Sequence, residues 1–336
     1  MAATVAGLHE QALTQLSDVL QGVGHVDLVD FPDHLNCGDA AIWLGQLALL
    51  EANGATVCSA TSRRSFHLDA LAPASTVVIQ GGGNFGGLYP THHALRLRLL
   101  DALRGRRMIQ MPQSIEYPGA QQRDELRRAI AAHGAFVLLV RDRRSYELAS
   151  ADFDCEVRLV PDAALALGPL TRREPTVDTA VQVRTDREAS SAVGAELGEL
   201  RFDWLDAPWA EPRRRRLAGH RLIGRAAAKT RLAALRSAEL RSAQALAEAN
   251  LARAVGLLSS GRTLVTDRLH GHILACLLGV EHVVVNDKYG KIRAFWETWT
   301  HELPHAHFAD TWDAAPALLA EVRERQFAST RAEESV

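Results

Sequence analysis

Short runs of apolar, β-branched residues alternate with stretches of helical apolar spacing along nearly the whole chain. Residues 25–31 (HVDLVDF), 76–80 (TVVIQ), 108–113 (MIQMPQ) and 135–142 (AFVLLVRD) have the length and make-up of buried strands, while 39–53, 92–104 and 121–133 space their apolar residues as helices do. Strands separated by helices need crossover connections, so the pattern predicts βαβ units around mainly parallel sheets. The fold class expected is α/β, with two doubly wound, Rossmann-like domains and a central cleft. Residues 1–170 form the N-terminal α/β domain. After Gly168 and Pro169 the polar stretch TRREP (171–175) reads as a linker, and 175–310 repeats the alternation, with TLVT at 263–266 and HVVVN at 282–286 as strands. Residues 311–336 are expected to add a closing helix and tail.

Composition narrows the function. The 336 residues carry 38 Lys and Arg against 40 Asp and Glu, a net charge of −2, which lacks the broad cationic field of a nucleic-acid binder. No basic leader precedes an apolar core at the N-terminus, and no run of about 18 apolar residues occurs, so a cytoplasmic protein is expected. Cys37, Cys58, Cys155 and Cys276 are scattered without CxxC spacing, so neither a zinc knuckle nor a disulfide framework is suggested. No metal and no cofactor are therefore expected.

One segment departs from the alternation. Residues 211–257 are rich in Ala, Leu and Arg, opening with Arg213 to Arg216 and continuing through Arg221, Arg225, Lys229, Arg231, Arg236 and Arg241. They read as one or two long helices inserted into the C-terminal domain. A basic face there suits either plain solvation or peripheral contact, through residues 213–241, with an anionic membrane surface that carries a lipid-linked substrate.

Four clusters directly follow predicted strands, where doubly wound sheets bind ligands. The first is Asn36-Cys37-Gly38-Asp39, in which Asp39 suits a helix N-cap or a base that accepts a proton from a substrate hydroxyl. In the second, QGGGNFGG at 80–87, Gly82, Gly83 and Asn84 allow close backbone approach to a ligand, and His92 and His93 open the next helix. It matches neither GxGxxG nor a P-loop. In the third, Arg141-Asp142, the guanidinium sits at a strand end and suits either an anion or a salt bridge with Asp142 or Asp162. The fourth is TDRLHGH at 266–272, with Arg268 and His270 at a helix mouth whose free N–H groups favour an anion; Lys288 and Lys291 follow the next strand and are two of only three lysines. A histidine beside a bound anion is favoured in its protonated form and suits a general acid.

Taken in order, DHLNCGDAAIW, VVIQGGGNFGGLYP, QMPQSI, VLLVRDRRSYEL, VPDAAL, VTDRLHGHILA and VNDKYGKI, spread over residues 33–293, resemble the polysaccharide pyruvyl transferase family. That resemblance implies a metal-independent transferase that joins the enolpyruvyl carbon of phosphoenolpyruvate, a co-substrate, to two sugar hydroxyls as a cyclic ketal, releasing phosphate. It also implies an architecture like that of GT-B glycosyltransferases, with the acceptor on the N-terminal side and phosphoenolpyruvate on the C-terminal side. Arg268 and Leu269 would bind the donor, Arg141 would add an anion contact and His270 would be the general acid. His92 or His93 would face the acceptor, near Asn36, Gly82, Gly83 and Asn84, with Asp39 as candidate general base. The residues leave two other readings open: a GT-B glycosyltransferase using a nucleotide sugar, and a non-catalytic protein of glycan assembly.

Overall fold

The computed structural model describes residues 4–186, 197–205, 211–230 and 232–333. After helix α1 (Val5–Leu20), the chain alternates through β1 (His25–Phe31), α2 (Cys37–Ala52), β2 (Thr56–Ser62), β3 (Thr76–Ile79), β4 (Gly82–Phe85), α3 (Pro90–Ala102), β5 (Met108–Ile115), α4 (Ala120–His133), β6 (Phe136–Val140), α5 (Arg143–Asp152) and β7 (Glu156–Leu159). The helix starts follow local chemistry. Asn36 caps α2 by accepting from the Gly38 N–H, Pro90 occupies the first turn of α3, and Asp142 caps α5 through the Ser145 N–H. Helix α4 ends at Gly134, whose φ of 77° is the left-handed conformation that closes a helix.

These strands form one wholly parallel sheet in the order β2-β1-β3-β5-β6-β7, with β4 added beside β5. Its core packs Val29, Val77, Ile79, Met108 and Leu138 against Leu99 and Leu126 of the covering helices. Being buried on both faces, the strands read as apolar runs and not as alternations. The glycine segment that follows β3 is in part a strand. Gly82 pairs with Gln113 and Phe85 with Ile115, and the Gln113 side chain accepts from the Asn84 N–H at 3.1 Å.

A second parallel sheet has the order β12-β11-β10-β8-β9. Its strands are β8 (Val177–Gln182) and β9 (Leu200–Phe202), then, after helices α6 (Glu211–Thr230) and α7 (Ala233–Leu258), β10 (Gly261–Thr266). Helix α8 (Leu269–Leu277), β11 (Glu281–Val285), α9 (Lys291–Phe295), β12 (Ala306–Ala309) and α10 (Ala315–Glu333) complete it. Gly271 lets α8 lie close on this sheet, because a Cβ there would overlap the side chains of Gln182 and Thr266. By contacts the chain falls into two units, one of Leu8–Leu167 with Ala207–Leu251, the other of Met1–Gly7, Gly168–Asp206 and Ala252–Val336. Each sheet has the doubly wound order in which the first strand lies between the second and third, so each has one switch point, at β1/β3 and at β8/β10.

The inserted helices are placed differently from the expectation. Their residues up to Leu251 group with the N-terminal unit, not with the C-terminal domain to which sequence order assigned them. On α6 the buried positions are Arg213, Leu217, His220, Gly224 and Ala227, a helical stripe, so part of the basic run faces inward. Arg213 donates to Asn250 Oδ1 and the Leu35 carbonyl, Arg221 to the Asp33 carbonyl, and Arg236 on α7 to the Ala70 carbonyl. Buried Glu239 accepts from Ser65 at 2.5 Å, and burial raises its pKa. Arg231 lies outside the described residues. Among those described, no helix is long and apolar enough to cross a membrane.

Candidate active site

In the N-terminal unit the polar residues gather at the carboxyl ends of β1 and β3. Strand β1 ends in a bulge at Asp30, whose φ of 72° is strained for a residue with a Cβ. Its buried carboxylate meets His92 Nδ1 at 2.7 Å, while Arg63 approaches Nε2 of the same ring at 3.0 Å. With Arg63 as the donor at Nε2, the proton is assigned to Nδ1, which donates to Asp30. Arg96 is buried beneath this pair, bonded to the side chains of Asn84 and Gln110 and lying 5.5 Å from the centre of the Phe85 ring. Burial brings the Arg96 pKa down to about 10, against the pull of Asp30, so it stays charged near neutral pH.

Asp39 stands in the first turn of α2. Asn36 is the actual N-cap and donates from its amide to Asp39 Oδ2 at 2.8 Å, with His34 Nε2 3.5 Å from the same oxygen. Gly82, with φ of 135°, passes so near that a Cβ on it would lie 3.8 Å from Asp39 Oδ1. Asn36, Asp39 and Gly82 thus meet in space, and Gly83, Asn84 and His92 continue the same edge. His93 does not join them. It is buried and bonds Glu125 on α4 at 2.9 Å, because adjacent residues on a helix point about 100° apart. Arg141, expected as an anion contact, is buried with its guanidinium on Asp162 at 2.7 Å and Ser114 at 3.0 Å. The salt bridge is what the structure shows for it.

In the C-terminal unit the second cluster lies at the β8/β10 switch point. Arg268 occupies the N-cap position of α8, and its buried guanidinium donates to Asp203 Oδ2 at 2.5 Å and reaches Asp186 at 3.4 Å, 5.7 Å from the centre of the Trp204 ring. Arg184 holds Asp186 with two bonds of 3.0 Å. Asp267 accepts from the Arg184 N–H at 2.8 Å through Oδ1. Among the described residues, three buried polar atoms here, Arg268 Nε, Asp267 Oδ2 and Trp204 Nε1, have no hydrogen-bond partner. Burial raises the Asp267 carboxyl to about 6 despite Arg184 and Arg268. His270 is half-buried in the first turn of α8. After β11, the Asp287 carboxylate caps Ile292, and Lys288 and Lys291 lie 5.7 and 5.1 Å from the centre of the Tyr289 ring. Of those three buried polar atoms, Arg268 Nε and Trp204 Nε1 are donors, and with a helix mouth that has no side-chain cap they suit an anion, whereas the carboxylates of Asp186, Asp203 and Asp267 already balance the two arginines.

Residues 36–289 match the family model for polysaccharide pyruvyl transferase. The chain belongs to that family. The chain is 31% identical over 335 residues to pyruvyl transferase 1 of Schizosaccharomyces pombe, covering 90% of this chain and 77% of the relative. It is 28% identical over 301 residues to EpsO of Bacillus subtilis, a candidate pyruvyl transferase by name, covering 88% and 91%. In fold it is similar to the crystal structure of a functionally uncharacterised protein of Klebsiella pneumoniae, with a TM-score of 0.56 at 19% identity, over 92% of this chain and all of that one.

The clusters include residues to which the sequence assigns no role: Asp30, His34, Arg63 and Arg96 in one unit, and Arg184, Asp186, Asp203, Trp204 and, within the TDRLHGH cluster, Asp267 in the other. The signal for Asp30 and Asp267 was available. Each is an acidic residue at the end of an apolar strand, where a solvent-facing position would not be expected.

Proposed function

We propose that the chain transfers the pyruvyl group of phosphoenolpyruvate onto two hydroxyls of a sugar in a polysaccharide or glycolipid precursor, forming a cyclic ketal and phosphate. The observation that carries this reading, beside family membership, is the pair of buried donors at the mouth of α8, Arg268 Nε and Trp204 Nε1, that have no hydrogen-bond partner among the described residues. On this reading Arg268, the N–H groups that open α8 at Leu269 and the lysines around Tyr289 neutralise the donor carboxylate and phosphate. Asp203 and Trp204 hold the guanidinium in one orientation. The donor thus belongs to the C-terminal unit. The acceptor belongs to the N-terminal unit, at Asn36, Gly82, Gly83, Asn84 and His92, a division of substrates like that of GT-B enzymes.

His270 gives a proton to the methylene carbon of the enol, turning it into a methyl group and leaving cationic character at C2. The first sugar hydroxyl bonds to C2 and loses its proton, with Asp39 placed as the base. The second hydroxyl then bonds to C2 as the C2–O bond to phosphorus breaks, and phosphate leaves with the electron pair. One hydroxyl proton restores that given by His270, and the other leaves with phosphate. No step calls for a metal or a cofactor.

The exposed side of α6 carries Arg214, Arg216, Arg225 and Lys229 around Leu222, which is 66% exposed. This basic face with an apolar centre favours a peripheral contact with anionic lipid, where a lipid-linked acceptor would be presented. Co-sedimentation with phosphatidylglycerol vesicles, compared with neutral vesicles, tests it.

The function is tested by isothermal titration with phosphoenolpyruvate beside UDP-glucose, on the wild type and on Arg268→Ala. Saturable phosphoenolpyruvate binding that is lost with Arg268 is expected; binding of the nucleotide sugar alone would overturn the reading. Proton NMR of the product should show the ketal methyl group.

A further inference from the structure

Behind the donor cluster, on the opposite face of α8 from His270, three side chains converge inside the C-terminal unit. His272 and Cys276 are one turn apart on α8 and His282 lies on β11, and all three are buried. Their donor atoms lie within 4.8 Å of one another. Nδ1 of His272 is 2.7 Å from Nε2 of His282, and Cys276 Sγ is 3.8 and 3.9 Å from these two nitrogens.

We propose that His272 Nδ1, Cys276 Sγ and His282 Nε2 form a site for a borderline-soft cation of the zinc type, which ties α8 to β11. The outer atoms of both rings are already engaged. His282 Nδ1 is 2.7 Å from the Val280 carbonyl, to which it donates, and His272 Nε2 is 2.8 Å from Thr300 Oγ1. Metal-bound histidines bond outward in this way, which sets the tautomer and aims the other nitrogen's lone pair at the ion. Ligands at about 2.0–2.1 Å for nitrogen and 2.3 Å for sulfur in a tetrahedron stand about 3.4 Å apart for two nitrogens and about 3.6 Å for nitrogen and sulfur. The sulfur is thus nearly in place, and the two ring nitrogens, 2.7 Å apart, need to separate by about 0.7 Å to reach the zinc geometry.

A further donor stands close by. The His305 ring centre is 6.0 Å from that of His282, its side chain bonds the backbone of Cys276, and its buried Nε2 has no hydrogen-bond partner among the described residues. Imidazoles with one thiolate suit zinc, or cobalt in its place, better than magnesium or calcium, which prefer oxygen. The alternative is a metal-free chain of hydrogen bonds from Thr300 through both rings to Val280. Sequence reading overlooked the set because His-x3-Cys-x5-His is not a CxxC pattern, although an i, i+4 pair on a helix is a common way to bring two ligands together.

The test is elemental analysis of the full chain after expression in medium with zinc or cobalt. Close to one equivalent of metal per chain is expected, and the cobalt form should show a thiolate-to-metal charge-transfer band. Cys276→Ser should lose that band and at least ten-fold of the metal content, with the far-ultraviolet circular dichroism unchanged, whereas His270→Ala should keep both. A wild-type chain that is folded yet carries well under a tenth of an equivalent would overturn the site. A cobalt spectrum that survives Cys276→Ser would overturn it as well. The wild-type reading decides the matter even if the variant fails to fold.

Discussion

Arg213 on α6 donates to the backbone carbonyl of Leu35 at 2.8 Å. Arg221 does the same for Asp33, at 2.6 Å, and Asn250 on α7 for His34, at 3.3 Å, so three successive carbonyls before α2 are held by the inserted helices. The loop that delivers Asn36 and Asp39 is therefore shaped by residues more than 170 positions away in sequence. The loop's own N–H groups turn back to Phe31 and Pro32, so the carbonyls of residues 33–35 draw on donors from the inserted helices.

Asn250→Ala removes the bond to His34 and the acceptor for Arg213 Nε, leaving a buried guanidinium short of a partner. A loss of about 1–3 kcal/mol in stability is expected. The loop should loosen with it, so the acceptor KM should rise several-fold while phosphoenolpyruvate binding is unchanged. Thermal melting, acceptor kinetics and calorimetric titration with phosphoenolpyruvate check the three parts. Equal weakening of both substrates would mean that the helices support the whole unit and not this loop in particular.

His270→Ala should reduce turnover by at least about 100-fold, the usual scale for losing a general acid. The residue is half-buried and not part of the core, so the melting temperature should stay within a degree or two of the wild type. Phosphoenolpyruvate should still bind. Turnover at the wild-type rate would remove His270 from the chemistry.

Arg268→Lys keeps the charge but loses the planar fork that meets Asp203 and Asp186 and lies by Trp204. The KM for phosphoenolpyruvate should rise about 10-fold or more, with Arg268→Ala worse, reflecting the roughly 1.5–3 kcal/mol of a hydrogen bond to a charged group. Steady-state kinetics at saturating acceptor measure it. A lysine variant with an unchanged KM would show that charge alone is needed there.

The alternation of apolar runs and helical spacing made both parallel sheets legible, and the residues that end β10 and open α8 were visible for the same reason: they directly follow a strand. Partners distant in sequence were not visible. Asp203 faces Arg268 from 65 positions away, and nothing local sets it apart from a surface carboxylate. The strand at Gly82–Phe85 has poor strand propensity and exists through its pairing with β5. His92 and His93 look equivalent as text, yet the helical rotation sends one to Asp30 and the other to Glu125. The placement of α6 and α7 was hidden because order along the chain does not say which sheet a helix covers.

Asp267 gives the C-terminal cluster a pH dependence whose sign can be worked out. Burial raises its carboxyl from 3.8 to about 6 in the folded protein, so the folded state holds the proton more tightly than the unfolded one. Its stabilising share is complete below about pH 4 and is lost as pH rises through about 6, on the order of 3 kcal/mol in all. Asp267→Asn keeps an oxygen for the Arg184 N–H and carries no charge at any pH. The melting temperature of the variant minus that of the wild type should therefore increase by several degrees between pH 4.5 and 7.5. A difference that stays flat across that range would mean that Asp267 remains ionised in the fold, with its charge fully met by Arg184 and Arg268.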